Sequence, residues 1–309
     1  MGGAVFILNP AAGHGRAEKT WKKFQRELRR ALPGAELLRT ERRGHAADLA
    51  YDAARFGAEK IVAVGGDGTF CEALQGVMRL PREKRLACAL GLVPAGSGCD
   101  LARHLGCPRG PEALAALLAS GGRRAADAGL ARYRAPDGLA AEKYFINMAS
   151  FGLAGDVAHH VHRMGKALGG TLSYALSSAW TLFGARAKAV RLSADGEDLS
   201  GRYYLGVLAN TSSIGGGMLV APGADEGDGL MDLVLVADMP RRRLWRNFPR
   251  LYGGTHLREP GISLRRVKTL KAESGEKVWL NIDGEAEGEL PAVFETLPGA
   301  VTLIAPAGS

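Results

Sequence analysis

Several absences narrow the field before any motif is read. Cysteine is scarce: the four are Cys71, Cys88, Cys99 and Cys107, with no CxxC pair. That argues against a disulfide scaffold or a cysteine-rich zinc site, and the four read as reduced, partly buried thiols. The 43 glycines follow no G-x-y period, which excludes collagen. Residues Met1 to Leu8 carry no basic leader, so no signal peptide is expected. Long apolar runs are also missing. Of two charge-free stretches, Ala167–Ala185 contains three glycines, three serines and two threonines, and Tyr203–Ala224 contains Asn210, the Gly215–Gly217 run and Pro222. Neither is apolar enough to span a bilayer. The expectation is a soluble, cytoplasmic protein with peripheral membrane contact.

What remains is ordinary globular material: 309 residues, 46% hydrophobic and 23% charged, enough for one large domain or two. The net charge of +8 is local. Residues 241–271 hold ten basic side chains and one acid, Glu259, leaving the rest of the chain close to neutral. Such a segment is a local positive field. Within it Leu244, Trp245, Phe248, Leu251 and Tyr252 recur at roughly helical spacing between Arg242, Arg243, Arg246 and Arg250, with Pro249 ending or kinking the helix. Two readings follow: a membrane-facing amphipathic stretch, or core aromatics under a solvated basic face. His159, His160 and His162 cluster without an adjacent carboxylate or cysteine to complete a metal site, which favours a polar helix face.

Periodicity divides the chain. Ala4–Leu8, Ala35–Leu38, Ile61–Val64 and Ala89–Val93 read as strands, alternating with helices over Ala17–Leu32, His45–Phe56 and Phe70–Met78. This predicts a doubly wound α/β domain with a mostly parallel sheet, whose ligands sit at the carboxyl ends of strands. Further on, Phe145–Met148, Val190–Ala194, Arg202–Ala209, Leu230–Val236, Ser263–Leu270, Lys277–Ile282 and Ala300–Ile304 read as strands, with two helical stretches near 154–184. They predict a mainly antiparallel β-rich second domain. The division is placed at 1–130 and 131–309.

Three glycine-rich turns fall at strand ends in the first domain. Asn9-Pro10-Ala11-Ala12-Gly13-His14-Gly15-Arg16 lets a phosphate approach Gly13 and Gly15 before a helix start, although a plain strand-to-helix turn reads the same way. Gly65-Gly66-Asp67-Gly68-Thr69-Phe70-Cys71-Glu72 places a carboxylate among bare amides, which a bare turn explains poorly. Thr69 there can cap the helix or bond a phosphate. In Pro94-Ala95-Gly96-Ser97-Gly98-Cys99-Asp100-Leu101-Ala102-Arg103, Ser97 suits a phosphate, whereas Asp100 serves a helix start equally well.

Together these turns resemble the diacylglycerol kinase catalytic family, which includes sphingosine and ceramide kinases and the bacterial YegS-like lipid kinases. Its NPxxGxG, GGDGTxxE and PxGTxNDxAR patterns correspond to residues 9–15, 65–72 and 94–103. The likeness continues through Phe145-Ile146-Asn147, Phe151-Gly152, Met164-Gly165-Lys166 to Tyr174, the turn from Ala221 to Asp232, and Asp283-Gly284-Glu285. It covers nearly the whole chain. GGDGT alone is shared with NAD kinases; the ordered set is more specific. Two residues depart from the pattern: Ser97 stands for threonine and keeps the hydroxyl, and Cys99 stands for asparagine and loses an amide.

The resemblance implies an ATP-dependent lipid kinase using Mg²⁺. Asn9, Gly13, Gly15, Thr40, Gly65, Gly66, Asp67, Gly68, Thr69, Glu72, Ser97 and Asp100 would meet the nucleotide, with Asp67 placing the catalytic magnesium. Asp225, Asp228 and the Leu230 carbonyl would hold a second, structural magnesium. Glu285 would be the base that takes the lipid hydroxyl proton, and Asp127 an acid supporting the site. A hairpin turn explains Asp283 and Gly284 by itself. The expected partner is a lipid at a membrane surface, with a homodimer left open and no nucleic acid. The alternatives are a soluble NAD kinase-like enzyme and a non-enzymatic membrane- or nucleic-acid-binding protein.

Overall fold

The computed structural model describes residues 3–96, 98–164, 184 and 186–306. Its chain forms two compact units, Met1–Ala126 with Gly299–Ser309, and Asp127–Pro298. The division therefore falls at 126/127 rather than 130/131, and the last residues leave the second unit for the first. Pairing is the reason: Thr302 and Leu303 lie parallel to Ala89 and Leu90, giving that strand a second neighbour.

The first unit runs β1 (Ala4–Leu8), α1 (Arg16–Ala31), β2 (Glu36–Arg39), α2 (His45–Arg55), β3 (Lys60–Gly65), α3 (Asp67–Met78), α4 (Arg82–Ala87), β4 (Ala89–Pro94), α5 (Asp100–His104) and α6 (Pro111–Ser120), then enters β5 (Gly122–Arg134). Strands pair in parallel in the order β4-β3-β1-β2. The expected helical spacing is realised in α1, where Trp21, Phe24 and Leu28 are buried against Phe6, Val62 and Leu114. In the order 4-3-1-2 the chain winds one way from β1 and the other way from β3. The switch point, where doubly wound folds bind ligands, therefore lies between the turns that follow β1 and β3.

The second unit continues with β6 (Ala140–Phe145), β7 (Met148–Gly152), α7 (Leu153–Met164), β8 (Lys188–Ala194), β9 (Glu197–Asp198), β10 (Gly201–Ala209), β11 (Met231–Ala237), α8 (Arg241–Asn247), β12 (Ile262–Val267), β13 (Thr269–Glu273), β14 (Trp279–Ile282) and β15 (Glu285–Ala305). Its pairings are antiparallel: β12-β11-β10-β7-β14-β15, with β13 joining β15 to β8. Phe145, Phe151, Leu208, Leu233, Leu270, Leu280 and Phe294 fill the core.

Two expected strands are each broken by a distant carboxylate. The run Phe145–Met148 ends β6 and restarts as β7, because the amides of Ile146, Asn147 and Met148 all donate to Asp283, at 2.9 Å. The run Ser263–Leu270 divides at Lys268, whose N–H donates to Asp195 together with that of Thr269. Strand amides spent on a side chain are unavailable to the ladder.

Candidate active site

In the first unit the three turns are knitted together, largely by the residues that the motifs contain. Asn9 Nδ2 donates to Thr69 Oγ1 at 3.2 Å and Asn9 Oδ1 accepts the Ala11 N–H, so Asn9 ties the first turn to the second across the switch point. Thr40 is buried at the end of β2, its N–H on the Leu8 carbonyl. The second and third turns touch backbone to backbone. A Cβ on Gly96 would lie 2.6 Å from Gly66 Cα, one on Gly13 2.5 Å from the Ala95 carbonyl, and one on Gly65 2.4 Å from Thr69 Oγ1. Close packing thus requires Gly13, Gly65, Gly66 and Gly96 even without a ligand. Gly68 is different: among the described residues a Cβ there meets nothing within 4 Å, and no side chain caps α3. The packing leaves that helix start open, as an anion needs. Gly15 also opens on free space, at φ 83°, after His14 at φ 57° and Gly13 at φ 60°.

The acids of this unit have structural partners. Asp67 accepts the amides of Asp100 and Leu101, each at 3.1 Å, and so holds the start of α5. Asp100 is buried and pairs with Arg103 one turn later. Glu72 accepts the Ala46 N–H at the start of α2. Cys99, where the family has asparagine, is left-handed at φ 52°, a conformation asparagine tolerates better than cysteine. Burial, helped by the charge of Asp67, pushes its thiol up to about 11, so the sulfur stays protonated near neutral pH. Ser97 lies outside the described residues.

In the second unit Asp283 and Gly284, at φ 49° and 88°, form the two-residue turn between β14 and β15, with Ile282 paired to Glu285. Positive φ at both positions is what a type I′ hairpin requires. The Asp283 carboxylate takes its three amides and its N–H returns to the Met148 carbonyl, which pins the hairpin to the start of β7. Glu285 follows, half-buried at the head of β15.

Asp225, Asp228 and Leu230 share one turn. Asp225 accepts the Gly227 N–H and Asp228 the Leu230 N–H, both at 2.9 Å. Asp127, buried at the start of this unit, braces them by accepting the Gly229 N–H at 2.6 Å. The second oxygen of Asp228 pairs with Arg266. Among the described residues no group of three or more His, Cys, Asp or Glu side chains stands ready to hold a metal. The donor set of the turn, two carboxylates and a carbonyl, is all oxygen and fits a hard divalent ion, which would have to share Asp228 with Arg266. His159 stacks on Trp279 at 4.0 Å between ring centroids.

One feature of this unit has no sequence signature. An apolar cavity of about 130 Å³ is lined by residues of β7, α7, β10, α8 and the turns beyond it, including Met148, Val157, Val207, Leu244, Phe248 and Leu251. Its few polar side chains are Ser150, Asn247, His256 and Asn281. The basic segment forms part of this wall and is not simply an amphipathic face. Leu244, Phe248 and Leu251 point to the cavity, while Arg243 and Arg250 bond the buried carboxylate of Glu259 at 2.7 and 3.1 Å. The Arg243 hydrogen bond above all, with Asn247 and the charge of Arg246, holds Glu259 below the usual carboxylate range. Trp245 and Tyr252 stay outside, 39% and 55% exposed, beside the exposed Arg241 and Arg242.

A doubly wound unit with an open glycine turn at its switch point, and an antiparallel unit with an apolar cavity and a carboxylate hairpin, are the parts a kinase with an apolar acceptor needs. The particular family follows from comparison. Residues 3–131 match the diacylglycerol kinase catalytic domain, and residues 147–305 the YegS C-terminal NAD kinase beta sandwich-like domain. The chain is 31% identical to a diacylglycerol kinase of Mycobacterium tuberculosis, covering 99% of this chain and 96% of that one, and 29% identical to one of Bacillus subtilis, covering 98% and 96%. A crystal structure from Bacillus anthracis superposes with a TM-score of 0.80 at 26% identity, covering 99% of this chain and 97% of that one. The chain belongs to the diacylglycerol kinase family and is a lipid kinase. Among the described residues no helix is long and apolar enough to cross a membrane.

Proposed function

We propose that the enzyme uses ATP to phosphorylate the free hydroxyl of diacylglycerol or a closely related lipid. The observation that carries this reading is the apolar cavity together with its link to the hairpin. Asn281, in the cavity wall, accepts the Gly284 N–H at 2.8 Å, one residue before Glu285. A chain seated in the cavity would thus lie against the hairpin that bears the base. The phosphates would be received by Asn9, Gly15, Gly68, Thr69 and Ser97. Glu285 takes the hydroxyl proton, the oxygen bonds the γ-phosphorus, and the bond to the β-phosphate oxygen breaks to leave ADP. Mg²⁺, when bound, supplies charge neutralisation at the phosphates; Asp67 is the residue that would place it, and Asp225, Asp228 and Leu230 would hold the structural ion.

The same segment explains how an enzyme of this kind would reach a bilayer. Trp245 and Tyr252 face outward from the wall whose inner side is Leu244, Phe248 and Leu251. Aromatics of this type settle at the interface, and Arg241 and Arg242 add attraction to anionic lipid. Labelled ATP offered with diacylglycerol, with NAD and with no acceptor tests the function. Label in the lipid phase only is expected; label in NAD, or in neither acceptor, would overturn it.

A further inference from the structure

Two polar atoms in the cavity wall have no partner among the described residues. His256 and Asn281 are each 1% exposed, and both line the cavity. His256 sets its Nε2 3.0 Å from the Val220 carbonyl, so that nitrogen carries the hydrogen and Nδ1 is an unpaired acceptor. Asn281 directs its side-chain oxygen to the Gly284 N–H, which fixes the amide orientation and leaves Nδ2 as an unpaired donor. The other polar side chains are occupied. Ser150 Oγ donates to the Asn281 carbonyl; Asn247 donates to the Arg243 carbonyl and accepts from Arg250. A buried donor without a partner is rare and calls for an explanation.

We infer that Asn281 is the residue that selects acyl esters: its Nδ2 donates to the ester carbonyl of a lipid whose chain occupies the cavity. This rests on the diacylglycerol reading proposed above. Three observations converge on an ester. The unpaired group is a donor, so its ligand must supply an acceptor. The surrounding wall is apolar, so the acceptor must arrive on an apolar chain. Asn281 is also bonded to the turn residue before Glu285, so the reader and the base belong to one hairpin. In a diacylglycerol the ester carbonyl stands only a few bonds from the free hydroxyl. Fixing one would therefore fix the other relative to Glu285. An ether-linked lipid has the same chain and hydroxyl but lacks the carbonyl, and so presents no acceptor at the carbonyl's position. Sites built to hydrogen-bond a ligand reject analogues that lack the partner far more strongly than they reject a change of shape.

The test uses the full chain with labelled ATP and two acceptors in mixed micelles, 1,2-dioctanoylglycerol and its ether counterpart 1,2-di-O-octylglycerol. The wild-type enzyme is expected to show a KM about tenfold lower, or more, for the ester. In Asn281→Asp an oxygen still meets the Gly284 N–H but the donor is gone. That variant should bring the ester and ether KM values together, so that their ratio falls to about one. Equal KM values for the two lipids in the wild-type enzyme would overturn the assignment while leaving the lipid kinase intact, and this arm needs no variant to fold. An ester preference surviving in Asn281→Asp would also overturn it, and would give the amide to a water bridging Asn281 and His256. If neither lipid is phosphorylated, the diacylglycerol reading proposed above fails and this inference with it.

Discussion

The two units use polar groups in opposite ways. In the first, the motif residues are engaged with one another: Asn9 with Thr69, Asp67 with the amides of residues 100 and 101, Glu72 with the start of α2, and Gly66 with Gly96 through their backbones. What opens to a ligand is backbone, at Gly15 and Gly68. The second unit anchors its hairpin just as firmly through Asp283, but sets around an apolar cavity buried side-chain atoms that have no partner among the described residues. If the proposed reading holds, a phosphate site is built here by locking side chains until amides are left over, and a lipid site by an apolar space with a few unspent polar atoms.

The contrast breaks most visibly at Asp67. Its carboxylate serves the fold and, in the proposed reaction, the metal. Asp67→Ala is expected to lower turnover by roughly 10²–10⁴ and also to lower the melting temperature, because two amides lose their acceptor. Turnover above about a tenth of wild type would leave Asp67 a clamp only.

A smaller effect is expected at the 225–230 turn, where Arg266 and a divalent ion compete for Asp228. Mg²⁺ should stabilise the wild-type protein, by about 2.7 kcal/mol at a hundred times its Kd, and so raise its melting temperature, and should do neither in Asp228→Ala. Arg266→Ala should enlarge the shift. Identical shifts in all three proteins would remove the metal from this turn.

Within the basic segment the arginines should separate into two kinds. Replacing Arg241 and Arg242 with Ser should weaken binding to anionic vesicles by about 1 kcal/mol each at low salt, with stability unchanged. Arg243→Ser should act the other way, lowering stability because Glu259 stays buried with fewer partners. Co-sedimentation and melting curves on the same variants decide between these outcomes. The smallest effect is a gain: Cys99→Asn, placing in the left-handed position a residue that tolerates it, should add about 0.5–1 kcal/mol in urea unfolding.

Much of this architecture was legible in the sequence where it depends on neighbours along the chain. The strands up to β4, the helices α1 to α3, the three turns and the 283–284 hairpin follow from periodicity and from glycine at strand ends, whereas α4 was not expected. What escaped depends on residues far apart. Nothing local marks Asp283 as the acceptor for amides 146–148, or Asp195 for 268 and 269, and so two broken strands read as continuous. The return of the chain end to β4 is a pairing with no signature in composition. The basic segment showed its spacing, but Glu259, the acid that gathers its arginines, looked like an isolated charge. Asn281 and His256 drew no notice because an unpaired atom is a property of surroundings, visible only once the cavity around it is closed.

The central claim is that the second unit supplies the base and the lipid site while the first receives the nucleotide. Glu285→Gln tests it most directly, since the amide keeps the shape of the side chain and removes its basicity. ATP affinity by titration and lipid phosphorylation by labelled ATP should be measured on one preparation. The account predicts unchanged ATP affinity with turnover reduced by roughly 10²–10⁴. A parallel fall in both, or turnover near wild type, would contradict it.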